Sequence, residues 1–197
     1  DRPELLLLSP SPERVFTLQL DKISSKQVQQ ALQPVFEDAT IPKIGHDIKT
    51  TLQICYKLGF DVANVAHDTQ IGAFLLNALR RDLSLSELAF TELGYEGIDF
   101  ENLDSDELQA RAPELIRVIA ALAEKQSTEL EAMPKVAKLA KEIEWPVISV
   151  LAKMEYEGIQ LDGEYLNKMA VQLTDQISDV EQQIYGYADE EFNVSSP

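Results

Sequence analysis

The stretch GHDIKTTLQICYKLGF, residues 45–60, sets a glycine, a short polar cluster and an apolar helical run in succession. That order suits a strand delivering its side chains onto the first turn of a helix, where a carboxylate can hold a divalent metal ion. The turn offers Asp47, Lys49, Thr50 and Thr51, so one acid stands at its edge and two neutral hydroxyls within it. Metal-assisted hydrolysis needs several converging carboxylates, because the cations they hold generate the attacking hydroxide and stabilise the leaving oxygen. Other candidate groups are sparse. His46 and His67 are the only histidines and Cys55 the only cysteine. This excludes an internal disulfide and a cysteine-rich zinc site and argues against a His-based metal site. Each histidine stands at an expected strand end and reads as structural or solvent-facing rather than as a ligand. Cys55, on the apolar face of a helix, reads as a small buried hydrophobe. Asp68, just ahead of a helical run, reads as an N-cap.

The elements that must position these groups follow from periodicity. ELLLLSPSPERVFTLQL holds two short apolar or alternating runs around a Pro/Ser turn, a β-hairpin signal. Ser24 or Ser25 caps a helix whose apolar face is Val28, Leu32, Val35 and Phe36. IPKIGHD reads as a strand, and the helix after it turns Ile48, Leu52 and Cys55 inward and stops near Gly59. VANVAHD is a second short strand; Asp68 or Thr69 caps a helix with Ile71, Phe74, Leu75, Ala78 and Leu79 inward. Strands alternating with helices indicate an α/β sheet of partly parallel order. From Ser84 onward the pattern is almost wholly helical. A long helix is expected over 107–133, interrupted early by Pro113, and Pro134 with the Lys135, Lys138, Lys141 stripe marks a domain junction. Those lysines read as a solvated face that could meet a duplex phosphate in a larger assembly. Trp145-Pro146 opens a helix to Glu157, with Trp145 an interdomain packing anchor, and Gly158 ends it by a left-handed cap. The last helix carries Leu166, Met169, Leu173, Ile177, Val180, Ile184 and Tyr187 at spacings of three and four, a seam that must pack on a partner helix.

Charge narrows the partners. The net charge is −17, and it is unevenly spread. Residues 1–81 carry nine acids and nine bases, residues 82–131 carry 13 against 3, and residues 132–197 carry 12 against 5. The run YEGIDFENLDSDE, residues 95–107, has six acids and no base. Phosphate binding is driven by Lys and Arg displacing counterions, so this surface repels nucleic acid and reads as a solvated, solubilising one. No run approaches the roughly 20 apolar residues of a membrane span. ELLLLSPSP lacks the features of a signal peptide. The composition is that of a cytosolic globular chain with no membrane partner.

Two C-terminal phrases are more specific. MEYEGIQLD, residues 154–162, and FNVSSP, residues 192–197, lie on either side of one long amphipathic helix. Together they resemble the start of the polymerase region in family A DNA polymerases, the DNA polymerase I family. Physically, Gly158 supplies the chain reversal, Asp162 caps the next helix, and Phe192 pins the helix end. Upstream, LQPVFEDATIPKIGHDIK, VAHDTQIGAFLLNA and LSLSELAFTELG are similar to successive segments of the same family's 3′–5′ exonuclease domain. The resemblance implies an α/β, RNase H-like mixed sheet with helices, followed by a mainly helical thumb-base segment. It divides the chain into an exonuclease-like domain at 1–133 and the junction with the first thumb-region helices at 134–197.

Proofreading exonucleases of this family hold two divalent metals, roughly 3.5–4 Å apart, with four carboxylates. The first family motif, Asp-x-Glu, has no match here, since Asp1 and Glu4 have the wrong spacing; its strand is expected upstream of Asp1. The second, Asn-x-Lys-Tyr/Phe-Asp, falls on Asp47 to Thr51, which puts Thr51 at the metal-binding aspartate. Asp47 lies one turn earlier, roughly 6 Å away, too far to substitute. The third, Tyr-x-x-x-Asp, falls on Ala120 and Glu124. The resemblance therefore implies a degenerate site at Asp47, Thr51, Ala120 and Glu124, with no catalytic, cofactor-binding or metal-ligating residue in this chain. It implies part of a bacterial-type DNA-directed DNA polymerase, a nucleotidyltransferase of DNA replication and repair, cytoplasmic and nucleoid-associated. The parent would use Mg2+ in a palm domain that is absent here. Its partners would be the thumb, palm and fingers, with primer-template DNA met only through the whole enzyme, as a monomer. Two rival readings stand beside it: an active metal-dependent 3′–5′ exonuclease using Asp47, Glu124 and an upstream acid pair, and an acidic protein-interaction module unrelated to polymerases.

Overall fold

The structure, a computed structural model, describes residues 4–11, 13–96 and 99–194. Asp1, Pro12 of the hairpin turn, Gly97 and Ile98 of the acidic run, and the last three residues of FNVSSP therefore lie outside the described residues. The chain forms two compact units, Asp1–Glu157 and Gly158–Pro197.

In the first unit, β1 (Leu5–Ser11) and β2 (Arg14–Gln19) make the expected antiparallel hairpin, pairing Leu6 with Leu18 and Leu8 with Phe16. α1 (Ser25–Phe36) starts at a capping box in which Ser24 and Gln27 exchange side-chain and backbone hydrogen bonds. Its buried stripe is Val28, Leu32 and Phe36; Val35 is 46% exposed, because a stripe of fourfold spacing leaves it on the flank. β3 (Lys43–Gly45) leads into α2 (Ile48–Leu58), and β4 (Val65–Asp68) into α3 (Thr69–Leu76). β3 and β4 are parallel, with Ile44 opposite His67 and Gly45 opposite Asp68. Parallel strands release their chains at the same sheet end, so α2 and α3 begin side by side. The described strands thus form one antiparallel and one parallel pair among helices.

α3 is shorter than its apolar pattern suggests. The Asn77 side chain accepts the Leu79 N–H at 3.1 Å, a local turn that competes with continued helix. Ala78 and Leu79, expected inward, consequently face solvent, Leu79 at 90% exposure; Phe74, also expected inward, lies within α3 but on its exposed side. α4 (Leu85–Leu93) and a 3₁₀ turn at Phe100–Asn102 follow. The Glu101 carboxylate caps α4 by accepting the Leu85 N–H at 2.7 Å and the Ser86 hydroxyl. α5 (Ser105–Glu131) opens on an Asp104/Glu107 capping box and runs unbroken past Pro113, where an interruption was expected. α6 (Pro134–Leu139), a π-helical turn (Ala140–Glu144) and α7 (Trp145–Glu157) follow without a break, so the helix expected from Trp145 to Glu157 is present and continues directly from the turn before it.

Three apolar clusters hold this unit. The hairpin packs Leu6 and Leu20 on Val28 and Phe36 of α1 and on Cys55 and Leu58 of α2. The inner face of α2, Ile48 and Leu52, meets Leu130 of α5 and Trp145, Ile148 and Ala152 of α7. Ala73 of α3 joins Leu88 of α4 and Val118 and Leu122 of α5. The second unit is α8 (Gly163–Ala188), capped by Asp162, with Phe192 edge-to-face on Tyr185 at 5.9 Å between ring centroids. Its apolar seam stays largely open, with Ile177 59% exposed. No helix among the described residues is long and apolar enough to cross a membrane.

Candidate functional site

The point where β3 and β4 hand over to α2 and α3 is occupied by one buried carboxylate. Asp68 Oδ1 accepts the Gln70 N–H at 2.8 Å and the Ile71 N–H at 3.2 Å, the expected cap of α3. Its Oδ2 accepts the Ile48 N–H at 2.7 Å, so the same group also caps α2. Asp47, the formal N-cap of α2, makes no cap bond; it sits in the left-handed region (φ 47°) and accepts the Thr50 hydroxyl at 2.7 Å. An aspartate tolerates that backbone better than most residues. Asp68 is 2% exposed. The carboxyl ends of parallel strands are where open α/β sheets take ligands; here that end carries the buried, capping carboxylate of Asp68.

A second polar group lies deeper. Gln126 of α5 is fully buried; its amide nitrogen donates to the Thr69 carbonyl at 3.1 Å, and Glu92 lies 3.4 Å away. Its Oε1 is therefore an acceptor for His67 Nε2 at 2.9 Å, which fixes His67 as the Nε2–H tautomer. His67 Nδ1 is then left to accept from the Ser127 hydroxyl, 3.5 Å away, and the imidazole packs on Trp145 at 5.1 Å between centroids. Glu92 is also paired with Arg80 at 3.3 Å and Lys125 at 3.7 Å. His46 Nδ1 lies 2.9 Å from the Thr69 hydroxyl. Both rings are thus hydrogen-bonded within the protein. Gln126 was not foreseen, although its place between Leu122 and Leu130 on an apolar helical face was the available signal.

The four degenerate-motif positions do not converge on a cation site. Thr51, on α2, offers a neutral hydroxyl; Asp47 is committed to Thr50. On α5, Ala120 is part-buried and Glu124 is exposed, whereas the inward positions of that turn are Leu122 and Ala123. Among the described residues no three His, Cys, Asp or Glu side chains are grouped to hold a metal ion. The four positions thus present one neutral hydroxyl, one methyl group, one exposed carboxylate and one carboxylate bonded to Thr50.

Burial holds both His46 and His67 below the usual imidazole range, against the pull of Asp68, Asp47 and Glu101 on His46 and of Gln126 and Asp68 on His67. The folded state binds fewer protons than the unfolded one just below pH 6.5, so stability is full above about pH 6.5 and declines as pH falls, by up to about 1.4 kcal/mol per pH unit for each ring. Urea melts between pH 7.5 and 5.5 should show this decline, and a His46→Asn, His67→Gln double variant should flatten it. An unchanged slope in the variant would show that these rings are not the cause.

A model of the 3′–5′ exonuclease domain of family A DNA polymerases matches residues 5–143. A DNA polymerase I from Chloroflexus aurantiacus is 30% identical over 182 residues, 86% of this chain and 19% of that protein. One from Synechocystis is 27% identical over 188 residues, 90% of this chain and again 19% of the relative. The chain thus spans about a fifth of the length of these relatives. Among solved structures, the POL domain of Pol1 from M. smegmatis, in complex with DNA primer-template and dNTP, superposes with a TM-score of 0.79 at 24% identity. That match covers 93% of this chain and 31% of the other, and it shows a shared fold.

Proposed function

The chain belongs to the 3′–5′ exonuclease family of family A DNA polymerases, and from that premise we propose that it is a proofreading-exonuclease-like domain without metal chemistry, serving as a scaffold in a DNA polymerase I. The observation that carries this reading is the second motif. By the motif spacing Thr51 stands on α2 where the family's aspartate would be, and the neighbouring carboxylate, Asp68, is taken up in capping both α2 and α3. A neutral hydroxyl is a poor ligand for a hard divalent cation, and without the cations there is no activated nucleophile. The outward position of Glu124 and the acidic balance of residues 82–131 support the same reading, since an active site must hold a frayed single strand.

On this reading the domain braces the polymerase body, with a boundary near 133/134. Polymerisation with Mg2+ belongs to a palm elsewhere in the enzyme, and DNA is met only through the whole monomer in the cytoplasm. Family membership sets aside an interaction module unrelated to polymerases. The test is calorimetric titration of Mg2+ or Mn2+, paired with digestion of a 3′-labelled single strand, on the longest natural form of the protein. No two-site binding and no cation-dependent shortening are expected. Shortening that needs the cation and disappears in Glu124→Ala would establish the active-exonuclease reading instead.

A further inference from the structure

Two stretches singled out separately in the sequence meet in space. Lys49 belongs to the degenerate metal motif on α2, and Glu155 to the MEYEGIQLD phrase at the end of α7. The Lys49 ammonium lies 2.8 Å from Glu155 Oε1, and the Gln53 amide donates to Glu155 Oε2 at 2.6 Å. Lys49, Gln53 and Tyr56 follow at spacings of four and three, hence on one face of α2. The Tyr56 ring packs on Tyr156 with 5.5 Å between centroids, and its hydroxyl reaches the Ser149 carbonyl at 3.5 Å. α7 is thus seated at its start by buried Trp145 and at its end by a carboxylate with both oxygens engaged.

We propose that Lys49 and Gln53 form a latch for Glu155, so that the first turns of α2 now fix the last turn of α7 in place of holding a metal ion. That the latch replaces metal binding rests on the scaffold reading; the latch itself rests on the contacts alone. Packing of Ile148 and Ala152 on Ile48 and Leu52 supplies adhesion without direction. A two-pronged polar contact adds register, because Glu155 meets both donors only at one rotation and one axial position of α7. The carboxyl of Glu155 is held below the ordinary range chiefly by the Lys49 hydrogen bond, in keeping with an ionised, engaged group. Gly158, with φ +72°, follows at once and ends the helix. The latch therefore sets where the chain leaves the first compact unit.

Segment-resolved hydrogen exchange on the full chain tests this. Lys49→Met, Glu155→Leu and the double variant should each speed exchange in residues 151–157 by roughly threefold to fivefold, the size expected of an exposed pair. The double variant should add nothing to the singles, and exchange in the hairpin and α4 should stay unchanged. Gln53→Leu should give a smaller rise confined to the same turn. No change in 151–157, additive effects, or an equal rise throughout the unit would each overturn the latch. Metal-dependent nuclease activity would overturn the scaffold reading and leave the exchange result standing.

Discussion

Asp68→Ala is expected to destabilise the first unit by about 3–5 kcal/mol, which for a domain of ordinary stability is a third of the total or more. The argument is an inventory of donors. In the native state the carboxylate accepts the N–H groups of Ile48, Gln70 and Ile71, the first at 2.7 Å in a buried setting. A methyl group leaves all three without a partner, and water cannot reach the site because residue 68 is 2% exposed. Loss of one helix cap alone costs about 1 kcal/mol; here two helices lose theirs together. Conservative variants separate the two oxygens. Asp68→Asn keeps an acceptor toward α3 but turns an amide N–H₂ toward the Ile48 N–H, so about half the loss is expected, with α2 the affected helix. Asp68→Ser can still cap α3 and cannot reach α2. Urea melts with helix-resolved exchange would show the pattern; a Asp68→Ala variant within 1 kcal/mol of wild type would remove Asp68 from its place as joint cap.

The same residue marks how far the sequence could be read. That Asp68 caps the helix after VAHD was legible, since an aspartate ahead of an apolar helical run is a local signal. Its second bond was not, because it depends on β3 and β4 lying parallel in a register that brings Gly45 opposite Asp68. Local pattern carried the hairpin, α1, α2, α4 and α8, whose caps and stripes are short-range. It failed at α3, where Asn77 competes for the backbone, and at Trp145-Pro146, where the helix runs on from the π-helical turn before it; the break ahead of Pro134 is present, with Pro134 opening α6. For the site, the motif positions Asp47, Thr51, Ala120 and Glu124 came from motif spacing, which took no account of the apolar stripe of α5 through Val118, Leu122 and Leu130 that marks its inward face. There Glu124 is exposed while Gln126, two residues on, is fully buried. The polar groups that organise this region are thus Asp68, which reaches Ile48 across 20 residues of sequence, and the His67–Gln126 pair, which spans 59.

Gly72→Ala provides the second large effect, with a sign opposite to the usual one. In a helix interior, alanine normally improves on glycine by about 1 kcal/mol, since it restricts the unfolded chain. At residue 72 of α3 an added Cβ would stand 2.4 Å from Gln126 Oε1 and 2.9 Å from His67 Nε2. The amide is the end of a flexible side chain and can move away, but moving it breaks the bond from His67 and the bond to the Thr69 carbonyl, both buried. The cost is then that of unpaired polar groups rather than of the collision, and a net destabilisation of about 2–4 kcal/mol is expected. Gln126→Ala should cost a similar amount by stranding the same partners. In the double variant the methyl at 72 occupies part of the space the amide vacated, so the two losses should fall short of their sum by at least about 1 kcal/mol. Equilibrium urea unfolding of the four proteins measures that coupling directly. Additive losses, or a Gly72→Ala variant as stable as wild type, would mean that the Gln126 amide has room to spare and that glycine at 72 is not there to admit it.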